Sequence, residues 1–281
     1  KLGELSNKGF DISLNSNIMN RGDFSWNATA IFMLNRRKIV KLYGDMVDVK
    51  DSEGNVVGQK EADDVKNRWF IGQDPDRIWA YQRNGIWQLG EEEMAAKYGN
   101  QPGDFKYVDQ NGDGVLTDAD RVFQGYTTPR FRWSFRNELR YKELSFSFLI
   151  YSTWGHYGDF NQAANNSNFA DRSTDYALQR WTPENPINDN ARIGSKNNGT
   201  NYVNMSFMRL DNMVLSYSLP KFILQSLRIQ QLRISASIRN VAYLTKDFKF
   251  GDPERSWKSD ALADVGDPAP RTYNLSLNFT L

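Results

Sequence analysis

Apolar and polar residues alternate one by one through much of this chain. The clearest run is Phe131-Arg132-Trp133-Ser134-Phe135-Arg136-Asn137-Glu138-Leu139-Arg140-Tyr141, which sends its aromatic and aliphatic side chains one way and its charges the other. After a tight Lys142-Glu143 turn the rhythm resumes, with Leu144, Phe146, Phe148 and Ile150 set against Ser145, Ser147 and Tyr151, and the two runs read as a hairpin. Similar alternation marks Phe10–Leu14, Phe24–Phe32, Met213–Leu219, Leu232–Ile238 and Tyr273–Leu281, and less cleanly Trp69–Leu89. Roughly eight strands are predicted, close to the 9–11 residues that a tilted membrane strand needs.

The links between these runs are unequal. Asn20–Asp23, Lys142-Glu143 and Pro220–Leu227 are short, whereas Gly44–Lys66, Gly90–Gly125, Gly155–Asn201 and Lys246–Ala269 are long and polar. Within the long loops, Glu91–Tyr98 and Thr174–Trp181 are predicted as short helices. Short turns at one end and long loops at the other describe an outer-membrane barrel with its long loops outside the cell. A water-soluble sandwich also alternates, but it would bury its apolar face in a packed core. Tyr273, Leu275, Leu277, Phe279 and Leu281 keep the rhythm to the last residue, as a strand that seals a barrel would.

Composition narrows the choice. With 281 residues, a mean hydropathy of −0.66 and no apolar run near 20 residues, a transmembrane helix is excluded, but a strand-built wall is not. Aromatic residues reach 14%, which suits interfacial girdles or sugar stacking. The 35 basic and 34 acidic residues nearly cancel and form no Lys/Arg block, so nucleic acid is not an expected partner. Without cysteine there is no disulfide, thiolate chemistry or zinc–sulfur site. The start, Lys1-Leu2-Gly3-Glu4-Leu5, has no apolar signal region.

An ordered series of motifs resembles the SusC/RagA-type TonB-linked outer-membrane transporters of the Bacteroidetes. Leu5-Ser6-Asn7-Lys8-Gly9-Phe10-Asp11-Ile12-Ser13-Leu14 is similar to that family's "RNKGVE" strand, and Phe24-Ser25-Trp26 and Asn35–Leu42 follow it. Asn84–Gln88, Pro102–Tyr107, Asp109–Gly114, Arg180–Pro186, Arg209–Asn212, Tyr217–Pro220 and Asp252-Pro253-Glu254 continue the series in the family's order. The resemblance implies an all-β fold: a transmembrane antiparallel β-barrel, of which residues 1–281 are the C-terminal strands, with long extracellular loops. The plug domain and earlier strands of such barrels, which have about 22 strands around a plugged lumen, are absent from this sequence. It further implies a bacterial outer-membrane location, import of oligosaccharides together with a SusD-like lipoprotein partner, with peptide as the alternative cargo, TonB acting through the missing N-terminal region, and no enzymatic activity. Barrels of this kind often end in an aromatic residue, and here the last is Leu281.

Candidate chemistry is sparse. Asp109-Gln110-Asn111-Gly112-Asp113-Gly114-Val115-Leu116-Thr117-Asp118-Ala119-Asp120 fits a calcium-loop spacing, with Asp109, Asn111, Asp113, the Val115 carbonyl, Thr117 and Asp120 at the ligand offsets and Gly114 at the sharp turn. Ca²⁺ or Mg²⁺ is the expected ion. A metal-free loop of Asx turns is the competing reading, and Asp120 in place of the usual Glu shortens the reach. His156 is the sole histidine, too little for a histidine metal centre and poorly placed for a triad. Glu91-Glu92-Glu93 reads as a helix start rather than as glycosidase carboxylates.

On the barrel reading, Arg132, Arg136, Glu138, Arg140, Arg233 and Arg239 line a polar lumen. Trp154 and Tyr157, with Phe160, Phe169, Tyr176 and Trp181, are candidates for gripping a ligand, and Trp154 fits an interfacial girdle equally. A secreted carbohydrate-binding β-sandwich with a calcium loop, similar there to dockerin modules, is the alternative from another class.

Overall fold

A computed structural model describes residues 3–159, 179–195, 202–249, 251–255 and 269–280. Strand β1 (Glu4–Arg21) turns at Gly22-Asp23 into β2 (Phe24–Lys41). Gly22 sits at φ 57°, a left-handed conformation that glycine adopts without steric cost. A long insert follows. It carries the hairpin β3 (Met46–Lys50) and β4 (Val56–Glu61), then β5 (Arg77–Tyr81), β6 (Arg83–Ile86), helix α1 (Glu92–Lys97), β7 (Phe105–Tyr107) and β8 (Arg121–Tyr126). Within it β5 pairs with β8, and β6 with β7.

The chain then returns as β9 (Phe131–Tyr141) and β10 (Leu144–Trp154). The second long loop carries β11 (Tyr157–Asp159) and β12 (Tyr202–Asn204), which pair with each other. Next come β13 (Phe207–Ser218), α2 (Lys221–Leu227), β14 (Gln231–Thr245), the third long loop and β15 (Thr272–Thr280).

Seven of these strands form one sheet in the order β1-β2-β9-β10-β13-β14-β15, antiparallel throughout. Each neighbour in the sheet is the next wall strand along the chain. The register puts Gly22-Asp23, Lys142-Glu143 and the α2 link at one end, since Phe24 and Leu144 both oppose Tyr141 and Leu144 opposes Tyr217. The three long inserts all leave from the other end.

Paired residues share a face, so the register resolves the sheet into two surfaces. One carries Phe10, Ile12 and Leu14 of β1, Trp26, Phe32 and Leu34 of β2, Phe131, Trp133, Phe135 and Leu139 of β9, and Phe146, Phe148 and Ile150 of β10. It continues through Met213, Leu215 and Tyr217, then Ile234 and Ile238, to Tyr273, Leu275, Leu277 and Phe279. The opposite surface carries Arg132, Arg136, Glu138 and Arg140, Ser145 and Ser147 of β10, Ser235 and Ser237 of β14, and Asn274, Ser276 and Asn278.

The wall has the dimensions of a bilayer. Eleven residues in β9 and in β10 at about 3.3 Å each, tilted by about 45°, rise about 25 Å, the height of a lipid-facing apolar band. Leu275 is 81% and Tyr273 67% exposed, and four apolar side chains of β15 stand open in a row. Each such side chain gains about 1.5–3 kcal/mol on leaving water, so this surface calls for an apolar medium. Among the described residues no second sheet covers it, which removes the sandwich arrangement; no described helix is long and apolar enough to cross a membrane.

Two expectations need correction. Trp69–Leu89 is not a wall strand: it splits into β5 and β6, paired inside the insert, because its aromatic residues serve a local loop core and its alternation breaks at Gln82. The wall therefore has seven described strands rather than about eight, and Gly44–Lys66 and Gly90–Gly125 belong to one insert. The helix expected at Glu91–Tyr98 is present as α1. Of the one expected at Thr174–Trp181, residues 174–178 lie outside the described residues, and Gln179–Trp181 are not helical. Phe160, Phe169, Tyr176 and Leu281 also lie outside them.

Candidate functional site: the polar face and its loops

All six charged positions expected to share a surface do so. Arg132, Arg136, Glu138 and Arg140 alternate along β9, and Arg233 and Arg239 oppose Ser218 and Asn212, on the same side. Arg136 Nε lies 3.2 Å from Glu138 Oε1, both well exposed, so that pair contributes little to stability. Arg140 Nε donates to the Lys142 carbonyl at 3.1 Å, and Arg233 Nη2 to Ser145 Oγ at 3.3 Å. At the long-loop end the same surface opens into a recess of about 750 Å³ lined by Asn7, Asp11, Asn35, Arg37 and Arg132 among others. It offers amide, guanidinium and carboxylate groups beside the apolar side chains of Phe10, Leu34 and Phe131.

The loops above this surface are tied to the wall and to each other. Ile39 N donates to the Gln73 carbonyl and Gly72 N to that of Ile39, both at 2.9 Å. Arg130 Nη1 pairs with Asp74 at 2.7 Å, and Arg37 pairs with Asp76. A small core of Ile86, Phe105, Trp181 and Ala191 then joins the first long loop to the second. Trp181 Nε1 donates to Gln88 Oε1 at 2.8 Å, and Arg192 Nε meets Asp104 at 3.0 Å. Gly103, at φ 90°, allows this approach: a Cβ there would lie 2.5 Å from the Trp181 ring. Arg180-Trp181 and Pro102-Gly103-Asp104, far apart in sequence, are thus two halves of one contact.

On the third loop, Arg209 of β13 reaches Asp252 and Asn240, and its Nε lies 3.2 Å from Glu254 Oε2. Tyr151 Oη donates to Glu254 at 2.6 Å, and Tyr243 Oη to the Gly251 carbonyl at 3.1 Å. Arg209 and Asp252 are 2% and 1% exposed, so this is a buried ion pair that clamps the loop to the polar face. Arg209–Asn212 and Asp252-Pro253-Glu254 were legible as motifs, but sequence alone did not join them.

Trp154 and Tyr157 part company. Trp154 opposes Phe131 on the apolar surface and stacks on it, with centroids 6.3 Å apart and planes at 6°. Tyr157 lies in β11 of the second long loop, its ring against Gly125 of β8. His156 is 2% exposed, and burial, then the Arg132 charge, push its imidazole down to about 4. A histidine kept neutral below its unfolded value of about 6.5 costs stability as acid is added. We expect roughly 3 kcal/mol to be lost between pH 6.5 and pH 4, and a His156→Gln variant to flatten that dependence in a pH series of thermal melts.

The Asp109–Asp120 loop is closed by its own backbone. Asp109 accepts from Gly112 N at 2.7 Å and Gly114 N at 2.8 Å, Asn111 Oδ1 from Asp113 N, and Asp113 Oδ1 from Val115 N. Asp120, fully buried, accepts from Gln110 N and Thr117 N. These bonds hold the Asp109 carboxyl below the usual carboxylate range, the Gly114 N–H foremost. No group of three or more metal-ligating acids or histidines converges among the described residues. In this arrangement the carboxylates serve as Asx-turn acceptors. Asp109→Ala is expected to speed amide exchange at Gly112 and Gly114 by up to about tenfold, equally with calcium and with chelator; protection that depends on calcium would assign the loop to the metal instead.

No protein-family model matches the chain. Sequence comparison finds 30% identity over 294 residues with TonB-dependent receptor P3 of Formosa agariphila, an alignment spanning 99% of this chain and 29% of that receptor. TonB-dependent receptor P26 of the same organism is 30% identical over 307 residues, and TonB-dependent receptor SusC of Bacteroides thetaiotaomicron 24% over 287. Among solved structures, the RagAB peptide importer in its open-open state superposes with a TM-score of 0.72 at 22% identity over 99% of this chain and 29% of that one, and a second RagAB peptide transporter structure gives 0.70 at 21%. The chain spans less than a third of the length of these relatives. They are receptors and transporters, not enzymes, and the sheet described here is a piece of their barrel wall. Along essentially all of its length, this chain is similar to one segment of the TonB-dependent receptors, SusC among them.

Proposed function

We propose that the chain is the C-terminal part of the barrel wall of an importer in a bacterial outer membrane. Its apolar surface meets lipid, its polar surface lines the aqueous interior, and its long loops stand outside the cell. Arg132, Arg136, Glu138, Arg140, Arg233 and Arg239 are lumen residues on this reading. Oligosaccharide is the proposed cargo, captured with a SusD-like lipoprotein that seats on the interlocked loops, and TonB acts through a region ahead of this segment. The observation that carries the reading is the two-faced sheet: predominantly apolar across all seven strands on one side, and predominantly Ser, Asn, Thr and Arg on the other. Hydroxyl, amide and guanidinium groups in that number suit a polyhydroxylated cargo. A peptide cargo would use the same donors, and mass spectrometry of ligands that co-purify with the full-length transporter separates the two.

Spin labels at Phe148 and Ser147 of the full-length protein in lipid nanodiscs test the wall. Oxygen is expected to relax the label at position 148 and a water-soluble nickel chelate the one at 147, because the two side chains leave opposite faces. The same reagent dominating at both positions would sink the importer reading.

A further inference from the structure

The apolar surface is not uniform along its height. Going up β1 and β2 from the turn end, it runs through Leu14, Ile12 and Phe32 to Phe10 and Leu34, then changes at once: the next rung on the same face is Lys8 opposite Arg36, and the next Ser6 opposite Lys38. Just below them, Phe10, Phe32, Phe131 and Trp154 form a continuous ribbon of stacked rings across four strands, with centroids 5.9, 5.9 and 6.3 Å apart. The paired rungs of this face, from Ser6 and Lys38 down, carry no Asp or Glu on any of the seven strands.

Like charges set directly opposite on neighbouring strands repel. Lys8 faces Arg36 all the same, with Lys38 one rung on, and among the described residues none of the three forms an ion pair with a carboxylate. Asp74, whose charge Arg36 feels, is bonded to Arg130. Arg36 spends Nη1 on the carbonyls of Asn35 and Arg130, which fixes its guanidinium at the rim, while Lys8 and Lys38 stand exposed. An aromatic ribbon capped by unneutralised cations has the layering of an acyl–headgroup boundary, with rings at headgroup level and ammonium groups reaching past them.

We infer that Lys8, Arg36 and Lys38 form a site for the phosphate of an anionic lipid headgroup in the leaflet at the long-loop end. The inference rests on the proposed lipid contact of the apolar face. The phosphate supplies the charge that the Lys8–Arg36 pair lacks, its acyl chains lie along the Phe10–Trp154 ribbon, and the occupant is a lipid because the site continues the apolar surface without a break.

The full-length transporter, delipidated in detergent, is to be titrated with a diglucosamine lipid bearing one phosphate and with the same lipid lacking it, read by native mass spectrometry. The parent is expected to prefer the phosphorylated lipid by at least tenfold, since each basic residue near an anionic surface adds several-fold to binding. The Lys8→Ala/Lys38→Ala double variant is expected to lose most of that preference. Arg21→Ala, on the same face at the turn end, is expected to keep it. A preference unchanged in the double variant overturns the site, as does displacement of the lipid by millimolar inorganic phosphate, which would mark a free-anion site. Quenching of Trp133 fluorescence by brominated acyl chains, taken as the difference from Trp133→Phe, reads the lipid contact separately. Quenching without headgroup preference sinks this inference alone; no quenching sinks the lipid-facing reading with it.

Discussion

Asp252→Ala is expected to free the third long loop from the wall at a cost near 3 kcal/mol. Arg209 and Asp252 are almost wholly buried, and deleting one partner of such a pair leaves the other as an uncompensated charge, for which about 3–5 kcal/mol is typical. The lower end applies because Glu254 remains 3.2 Å from Arg209 Nε and is half exposed to water, and Asn240 still accepts from the guanidinium. Limited proteolysis and amide exchange across residues 246–255 of the full-length protein are the measurements. Replacing the pair together, Arg209→Met with Asp252→Leu, is expected to cost less than Asp252→Ala alone, because the desolvation of two ions disappears with their attraction. A single variant that costs under about 1 kcal/mol would mean that the pair is not a clamp.

Met213→Arg and Val214→Arg, one residue apart, are expected to differ by at least 2 kcal/mol. Met213 sits mid-height on the apolar surface, in the row with Phe148, Ile238 and Tyr273; Val214 points to the polar side beside Ser147 and Ser237. An arginine on the lipid face of a barrel costs about 2–4 kcal/mol at mid-bilayer, whereas on the interior face it remains in water. Equilibrium urea unfolding of the full-length protein from lipid vesicles measures both. Equal costs at the two positions, or a larger cost at Val214, would remove the lipid from this account.

Much of the wall was legible because a strand's side-chain period is two and each strand states its own faces locally. Phe131–Tyr141 and Leu144–Tyr151 read as a hairpin and are one. β1 and β2, at 18 residues each, were underestimated, since both ends of β1 are rich in Asn, Ser and charged residues and the upper third of β2 is rich in Arg and Lys, so the apolar rhythm fades there while the backbone pairing continues. Trp69–Leu89 misled for the opposite reason: Trp79, Phe70 and Phe123 pack on one another in a loop, and a local aromatic cluster mimics a membrane strand in sequence.

The alternation by itself determined that there is a sheet with one greasy and one wet surface, where its tight turns fall, and which six charged residues share the wet side, since all of these follow from neighbours along the chain. Tertiary structure alone decided what joins across distance: Arg209 with Asp252, Trp181 with Gly103, and Lys8 with Arg36. Those contacts depend on strand register and loop closure, which set residues tens of positions apart within a few ångströms, and no local pattern of polar and apolar positions encodes that distance.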